Sequence, residues 1–206
     1  MKKLLILGGS SYLLPAIRAA HELGIYVITA DYLPDNIAHK YSDEYHNVSI
    51  IDKDAILQLA EDLQIDGIVS YATDPGVVVA AYVAEKLGLP TSPYESVKIL
   101  QNKGKFRGFL RDNNFNVPYS ETFKEYSEIE LSKFKFPIIV KPVDSAGSKG
   151  VTRVDDETAL RAAFEYALKY SITGEVIIEE FIEKKGYSTD TDSFSIDGKL
   201  VLATFN

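Results

Sequence analysis

The sequence contains no cysteine among its 206 residues, so disulfide bonds, thiol nucleophiles and cysteine-ligated zinc are excluded for this chain. Histidine is scarce as well, and His21, His39 and His46 show no metal-ligand spacing. Long hydrophobic runs are also missing, since no apolar segment approaches the roughly 20 residues that a membrane-spanning helix needs. We therefore expect no membrane association and a cytoplasmic location.

Positive charge is in deficit, with 22 basic against 30 acidic side chains and a net charge of -8. The overall basic footprint of a nucleic-acid-binding protein is therefore absent, and we expect no nucleic-acid partner. One stretch near the middle of the chain carries basic side chains without any acidic one: Lys98, Lys103, Lys105, Arg107 and Arg111. This stretch predicts either a local site for an anion or a solvated helix face.

The first part of the chain alternates short apolar runs with amphipathic segments. Strands are predicted at Lys3–Leu7, Tyr26–Ala30 and Gly67–Tyr71. One helix should begin after Asp52 as its N-cap, and another at Thr73-Asp74-Pro75. Such alternation is typical of a parallel sheet with helices on both faces, which we assign to a domain of residues 1–92.

The pattern changes after Ser92-Pro93. Helices are predicted over 94–101 and 103–113, within a helical connector of residues 93–116. The rest, 117–206, is rich in predicted strands, interrupted by one helix over 156–169. Its last strands should be Glu175–Phe181, Tyr187–Ile196 and Lys199–Phe205, the final two joined at Asp197-Gly198. Because the strand pattern runs to Asn206, we expect the domain to continue beyond it.

Residues 138–150, IIVKPVDSAGSKG, combine a buried strand with a loop of small residues. Lys141 is predicted to project from the end of the strand, and the loop glycines let backbone N–H groups approach a ligand closely. Phosphate suits this combination of a lysine charge and bare amides. The loop does not fit the GxxxxGK[ST] pattern, so it is not a P-loop. An ordinary hairpin loop is the alternative.

Other segments complete an ordered set: Gln101-Asn102-Lys103 opens a helix, Lys141-Pro142 ends a strand, and Ile178-Glu179-Glu180-Phe181-Ile182 ends a later one. From Lys103 onward this set resembles the ATP-grasp superfamily of ligases. Residues 1–92 resemble the biotin-carboxylase-type N-terminal domain that precedes it, and short proteins similar to the large subunit of carbamoyl phosphate synthase are the nearest match. The resemblance implies an α/β fold: a doubly wound parallel-sheet domain followed by the first portion of an α+β ATP-grasp domain.

The resemblance also implies roles for individual residues. Lys103 and Lys141 would contact the triphosphate of ATP. The loop residues Ser145, Gly147, Ser148, Lys149 and Gly150 would close over it, while Glu179 and Glu180, with the backbone of Phe181 and Ile182, would line the adenine slot.

The implied reaction activates a small carboxylate as an acyl phosphate, which an amine or related nucleophile captures. Mg²⁺ would bridge the phosphates, with its protein ligands beyond Asn206 and none in this chain. The 206-residue chain alone is therefore expected to be inactive. The catalytic residues stay unknown, and a second copy of the chain is a possible partner.

Two alternatives remain open. A dinucleotide-binding oxidoreductase would use the Gly8-Gly9-Ser10 turn and Asp31, although Ser10 and Leu13 replace two of the three fingerprint glycines. In the ATP-grasp interpretation, that turn, Asp31 and Asp74 would instead border the acceptor substrate. A non-catalytic nucleotide-binding module is the other alternative, because Gly186 stands where many relatives have a glutamate near the nucleotide sugar.

Overall fold

The computed structural model describes residues 1–205 and shows a mixed α/β chain. In its first part, strands β1 (Lys3–Leu7), β2 (Tyr26–Ala30), β3 (Glu44–His46) and β4 (Gly67–Val69) form a parallel sheet. Their order is β3-β2-β1-β4. Helices α1 (Leu14–Glu22), α2 (Lys53–Leu63) and α3 (Asp74–Leu87) connect or follow these strands.

Both faces of the parallel sheet are covered. Successive residues of a strand point to opposite faces, so one strand contributes to two cores. Leu5 and Leu7 of β1 join a core with α2 and α3, whereas Ile6 joins a separate core with Ile17 of α1. Asp52 caps α2, accepting a hydrogen bond of 3.1 Å from the N–H of Ala55. The predicted doubly wound sheet is confirmed.

Two helices and an antiparallel sheet follow. The helices are α4 (Tyr94–Gln101) and α5 (Lys103–Asp112). The strands are β5 (Ser120–Phe123), β6 (Ile138–Pro142), β7 (Thr152–Val154) and β8 (Val176–Glu180), in the order β5-β8-β6-β7. Helix α6 (Leu160–Tyr170) packs on one face, where its Leu160 and Phe164 meet Val140 and Ile178 of the sheet.

Strands β9 (Thr191–Ile196) and β10 (Lys199–Phe205) pair only with each other within the described residues. Asp197 and Gly198 both have positive φ, 50° and 73°, as a type I′ turn requires. The predicted hairpin is therefore confirmed. Its side chains are largely exposed.

Lys141 and Pro142 end β6, as predicted, and both still pair with β8. Other predicted bounds were wrong in detail. Residues 187–190 precede β9 without joining it, and the short strands β3, β5 and β7 were not predicted. The divisions at residues 92 and 116 stay predictions, and Asn206 lies outside the described residues.

Candidate functional site

A buried carboxylate, Glu179, binds two cations that come from different elements. The register of β6 against β8 pairs Ile139 with Glu179, so Lys141, two residues on, projects from the same face. Its Nζ donates to Oε1 of Glu179. Nε of Arg107, from α5, lies 3.2 Å from Oε2. Each carboxylate oxygen therefore has its own cation.

Lys103 is the first residue of α5, and hydrogen bonds hold both its backbone and its side-chain ammonium. Its backbone N–H donates to the carbonyl of Val143 at 2.8 Å, and its Nζ donates to the carbonyl of Ser145 at 2.7 Å. Burial lowers the pKa of Lys103 below its ordinary value, and the positive charge of Lys141 lowers it further. An anion beside the two ammonium groups would relieve the repulsion between them.

The end of β8 borders a small cavity of about 300 Å³. The predicted adenine-slot residues Glu179, Glu180, Phe181 and Ile182 line it together with Arg107. The N–H groups of Glu180 and Phe181 donate to the carbonyls of Tyr119 and Pro137, at 2.9 and 3.4 Å. These two donors are thus engaged within the chain.

The predicted phosphate loop has a fixed base and an exposed tip. The carboxylate of Asp144 accepts hydrogen bonds from the N–H of Ile172 and from the hydroxyls of Ser171 and Thr173, at 2.6 to 3.0 Å. The N–H of Thr173 adds a bond of 2.7 Å. Gly147, Ser148 and Lys149 are exposed at the tip. The loop thus has an anchored base and a solvent-exposed tip.

A large cleft of about 820 Å³ separates this loop from the first sheet. All five residues assigned to acceptor-substrate binding line it: Gly8, Gly9, Ser10, Asp31 and Asp74. Ser145, Gly147 and Lys149 line the opposite side. Ser148 lies in the loop tip, while Gly150 is buried against the ring of Pro142.

Each lysine of the pair bonds to a residue that lines a different cavity. Lys141 binds Glu179, which lines the small cavity, and Lys103 binds the carbonyl of Ser145, which lines the large cleft. A ligand with an aromatic base at one end and a chain of phosphates at the other would match this arrangement in shape and charge.

The glycine turn after β1 is needed for packing. Gly8 has a φ of 117° and donates its N–H to Ala30 at 2.8 Å. A Cβ on Gly9 would lie 2.6 Å from both Asn36 and His39. These glycines therefore have a structural reason to be there without any dinucleotide.

Asp31 is engaged in the loop that follows β2. Its carboxylate accepts hydrogen bonds from the N–H of Leu33 at 3.1 Å and from Nδ2 of Asn36 at 3.0 Å, and the residue is 7% exposed. Both oxygens are therefore used within the chain. This supports a structural role over the binding of a nucleotide ribose.

Asp31→Ala should leave the affinity for ATP unchanged while lowering the free energy of unfolding by about 1–3 kcal/mol, because two polar groups lose their acceptor. Calorimetric titration and denaturant unfolding measure the two quantities. Asp35→Ala, an exposed change in the same loop, is the matched control. Lost nucleotide binding at unchanged stability would instead favour the dinucleotide interpretation.

Sequence reasoning did not assign two contributors. Arg107 appeared only as one of several basic residues, although its spacing of four from Lys103 places it one helical turn later on the same face. No local sequence pattern predicts that Asp144 anchors the loop, because its hydrogen-bond partners are 27 to 29 residues away.

Two other basic residues of the 98–111 stretch have side-chain partners within the chain. Lys98 binds Glu95 at 2.8 Å, and Arg111 donates to the carbonyl of Ser120 at 3.5 Å. In residues 1–205, no group of three or more His, Asp or Glu side chains is placed to hold a metal ion. Of the helices described, none is both long and apolar enough to cross a bilayer.

Comparison with protein families places this arrangement in context. Residues 17–91 match the model of the ATP-grasp N-terminal domain. Residues 83–189, more than half of the chain, match the model of the D-ala D-ala ligase C-terminus. The chain therefore belongs to the ATP-grasp ligase family.

Individual relatives agree with this assignment. The formate-dependent phosphoribosylglycinamide formyltransferase of Rhodococcus jostii is 26% identical over 88% of this chain and 46% of its own length. The L-amino acid ligase of Bacillus licheniformis is 25% identical, with a TM-score of 0.74 over 97% of this chain and 48% of that one.

The N5-carboxyaminoimidazole synthetase of Staphylococcus aureus, solved with ADP, shares the fold at 20% identity. Its TM-score is 0.74 over 100% of this chain and 53% of that one. The chain thus spans about half the length of the relatives it matches.

Proposed function

We propose that the chain is the ATP-binding portion of a ligase that activates a carboxylate as an acyl phosphate for capture by an amine or related nucleophile. The observation that carries the proposal is the pair Lys103 and Lys141, which bond to lining residues of the large cleft and of the small cavity. Family membership supports it, and so do the names of the relatives, which include an amino acid ligase and a formate-dependent enzyme.

In this proposal the adenine lies in the small cavity beside Glu179, Glu180, Phe181 and Ile182. The phosphates extend past Lys141 and Lys103, which neutralise their charge and hold them in place. Ser145, Gly147, Ser148 and Lys149 cover the phosphates, and buried Gly150 serves as the fixed end of that loop.

The large cleft is the proposed place for the carboxylate and the nucleophile. Gly8, Gly9 and Ser10 form one side, and the loop with Lys149 forms the other. Asp74 lies at the start of α3 and lines the large cleft. Burial lowers the pKa of Lys103 and the negative charge of Asp74 partly offsets this, which supports a position for Asp74 near the proposed phosphate end. We propose a homodimer as the assembly, which the molecular mass in solution would test.

Magnesium, when bound to ATP, neutralises phosphate charge and orients transfer. Because residues 1–205 contain no cluster suited to it, we assign no residue of this chain as a ligand.

Separate titrations of ATP and NAD(H), each with and without magnesium, test the proposal. We expect ATP to bind and NAD(H) not to bind. Binding of NAD(H) alone would replace the proposal with the oxidoreductase alternative. The proposed ATP site lies on the antiparallel sheet, whereas the Gly8 turn follows a strand of the parallel sheet. The ATP and NAD(H) titrations therefore report on different sites.

A non-catalytic nucleotide-binding module is the second candidate, and Gly186 favours it. Gly186 has a φ of 77°, so a glutamate there would strain the backbone. The backbone conformation at position 186 therefore disfavours a glutamate there. Both candidates predict ATP binding, but only the ligase predicts turnover by the whole protein.

The 206-residue chain should bind ATP weakly, with little dependence on magnesium, and should release no phosphate. The physical reason is that it supplies the lysines but, in residues 1–205, no cluster that would fix a metal. A sensitive phosphate-release assay measures this, with Lys141→Ala as the contamination control. Magnesium-dependent release that this mutation abolishes would contradict the prediction.

A further inference from the structure

Arg107 is a charged residue in the site to which neither the family resemblance nor the comparisons assign a role. It lies on α5, one turn after Lys103, and its side chain is 22% exposed, against 7% for that of Glu179. The inference below rests on the proposed function, because it concerns what Arg107 does when a nucleotide binds.

Lys141 has two competing partners in the proposed function. Its ammonium binds the buried Glu179 in the structure, yet it must also bind a phosphate when ATP is present. A lysine that turns toward phosphate would leave a carboxylate whose side chain is 7% exposed with one ionic partner fewer. An unpaired buried carboxylate is costly, and that cost would be subtracted from the affinity for ATP.

We propose that Arg107 is a positioning residue for nucleotide binding: it keeps Glu179 paired while Lys141 turns from the carboxylate to the phosphate. The geometry suits this exchange, because Arg107 binds Oε2 and Lys141 binds Oε1. The two cations do not compete for one oxygen. Departure of Lys141 therefore leaves the bond from Arg107 intact.

The other nearby cation does not serve this purpose. Lys103 donates its Nζ to the carbonyl of Ser145, and among residues 1–205 the ion pairs of Glu179 are with Arg107 and Lys141. An arginine also suits the role because its guanidinium stays charged in a partly buried position and presents donors in a fixed plane. Arg107 thus frees Lys141 to bind the ligand.

The test is ATP affinity measured by calorimetry on the 206-residue chain and its variants. Arg107→Gln should weaken ATP binding about tenfold or more, the size expected for a charge-assisted hydrogen bond to a buried carboxylate. Arg107→Lys should recover most of the affinity, since it restores the charge. Arg161→Gln makes the same charge change on an exposed face of α6, away from Glu179, and should have no effect.

A double-mutant cycle separates this role from a structural one. In a Glu179→Gln background there is no carboxylate to keep paired, so adding Arg107→Gln should change ATP affinity no further. Equal losses in both backgrounds, or full affinity in Arg107→Gln while the wild type binds ATP, would overturn the inference. A wild-type chain that fails to bind ATP would overturn the proposed function instead. Melting temperatures of all variants identify any that fail to fold. If Arg107→Gln is one of them, the ATP affinity of Arg107→Lys is compared with that of the wild type instead.

Discussion

Lys141→Ala should weaken ATP binding about 100-fold, because a lysine held by its strand supplies a charge-assisted bond at little entropic cost. Lys141 lies in β6, where it pairs with Ile177 of β8, and its side chain is largely buried, so it is already ordered before the ligand arrives. Removing it also leaves Glu179 with Arg107 as its remaining ionic partner.

Lys149→Ala is the matched control and should cost about tenfold at most. Lys149 is exposed at the loop tip, so its side chain and the loop must both lose conformational freedom to make a contact. Calorimetric titration of ATP into both variants gives the order directly. A larger loss in Lys149→Ala would mean that the loop supplies the main phosphate contact and that the role assigned to Lys141 is wrong.

The sequence predicted the fold wherever local pattern and tertiary structure agree. Lys3–Leu7 and Tyr26–Ala30 became strands with the predicted bounds, because their apolar side chains are buried on both faces of one sheet. The Asp52 cap and the Asp197-Gly198 turn depend on neighbouring residues alone, and both were predicted correctly.

Features that depend on distant partners escaped prediction. Strand β7 has three residues, and the sheet pairing of Ile138 with Val154 defines it more than its own composition does. The bond from Arg107 to Glu179 joins residues 72 apart, so no local spacing shows it. The predicted cavity residues lie together because strand register brings Glu179 beside Lys141, and register is fixed by the whole sheet.

Gly150→Ala should lower the free energy of unfolding by about 2–5 kcal/mol, from left-handed backbone strain and overpacking combined. Gly150 has a φ of 73°, and an added Cβ would lie 2.8 Å from Cγ of Pro142 and 3.2 Å from Cβ of Tyr170. Neither is the flexible end of a side chain, so the backbone of β6 or α6 must shift.

Gly147→Ala isolates the steric part of that cost. Its φ of 64° imposes similar strain, yet an added Cβ would meet nothing within 4 Å, so we expect a loss of only about 1–2 kcal/mol. Denaturant unfolding of both variants gives the difference. Pro142 directly follows Lys141, so the shift that Gly150→Ala forces should also displace that lysine and weaken ATP binding, whereas Gly147→Ala should not displace it. Equal losses of stability in the two variants would show that Pro142 moves aside at no energetic cost. The base of the loop would then be less rigid than its burial indicates.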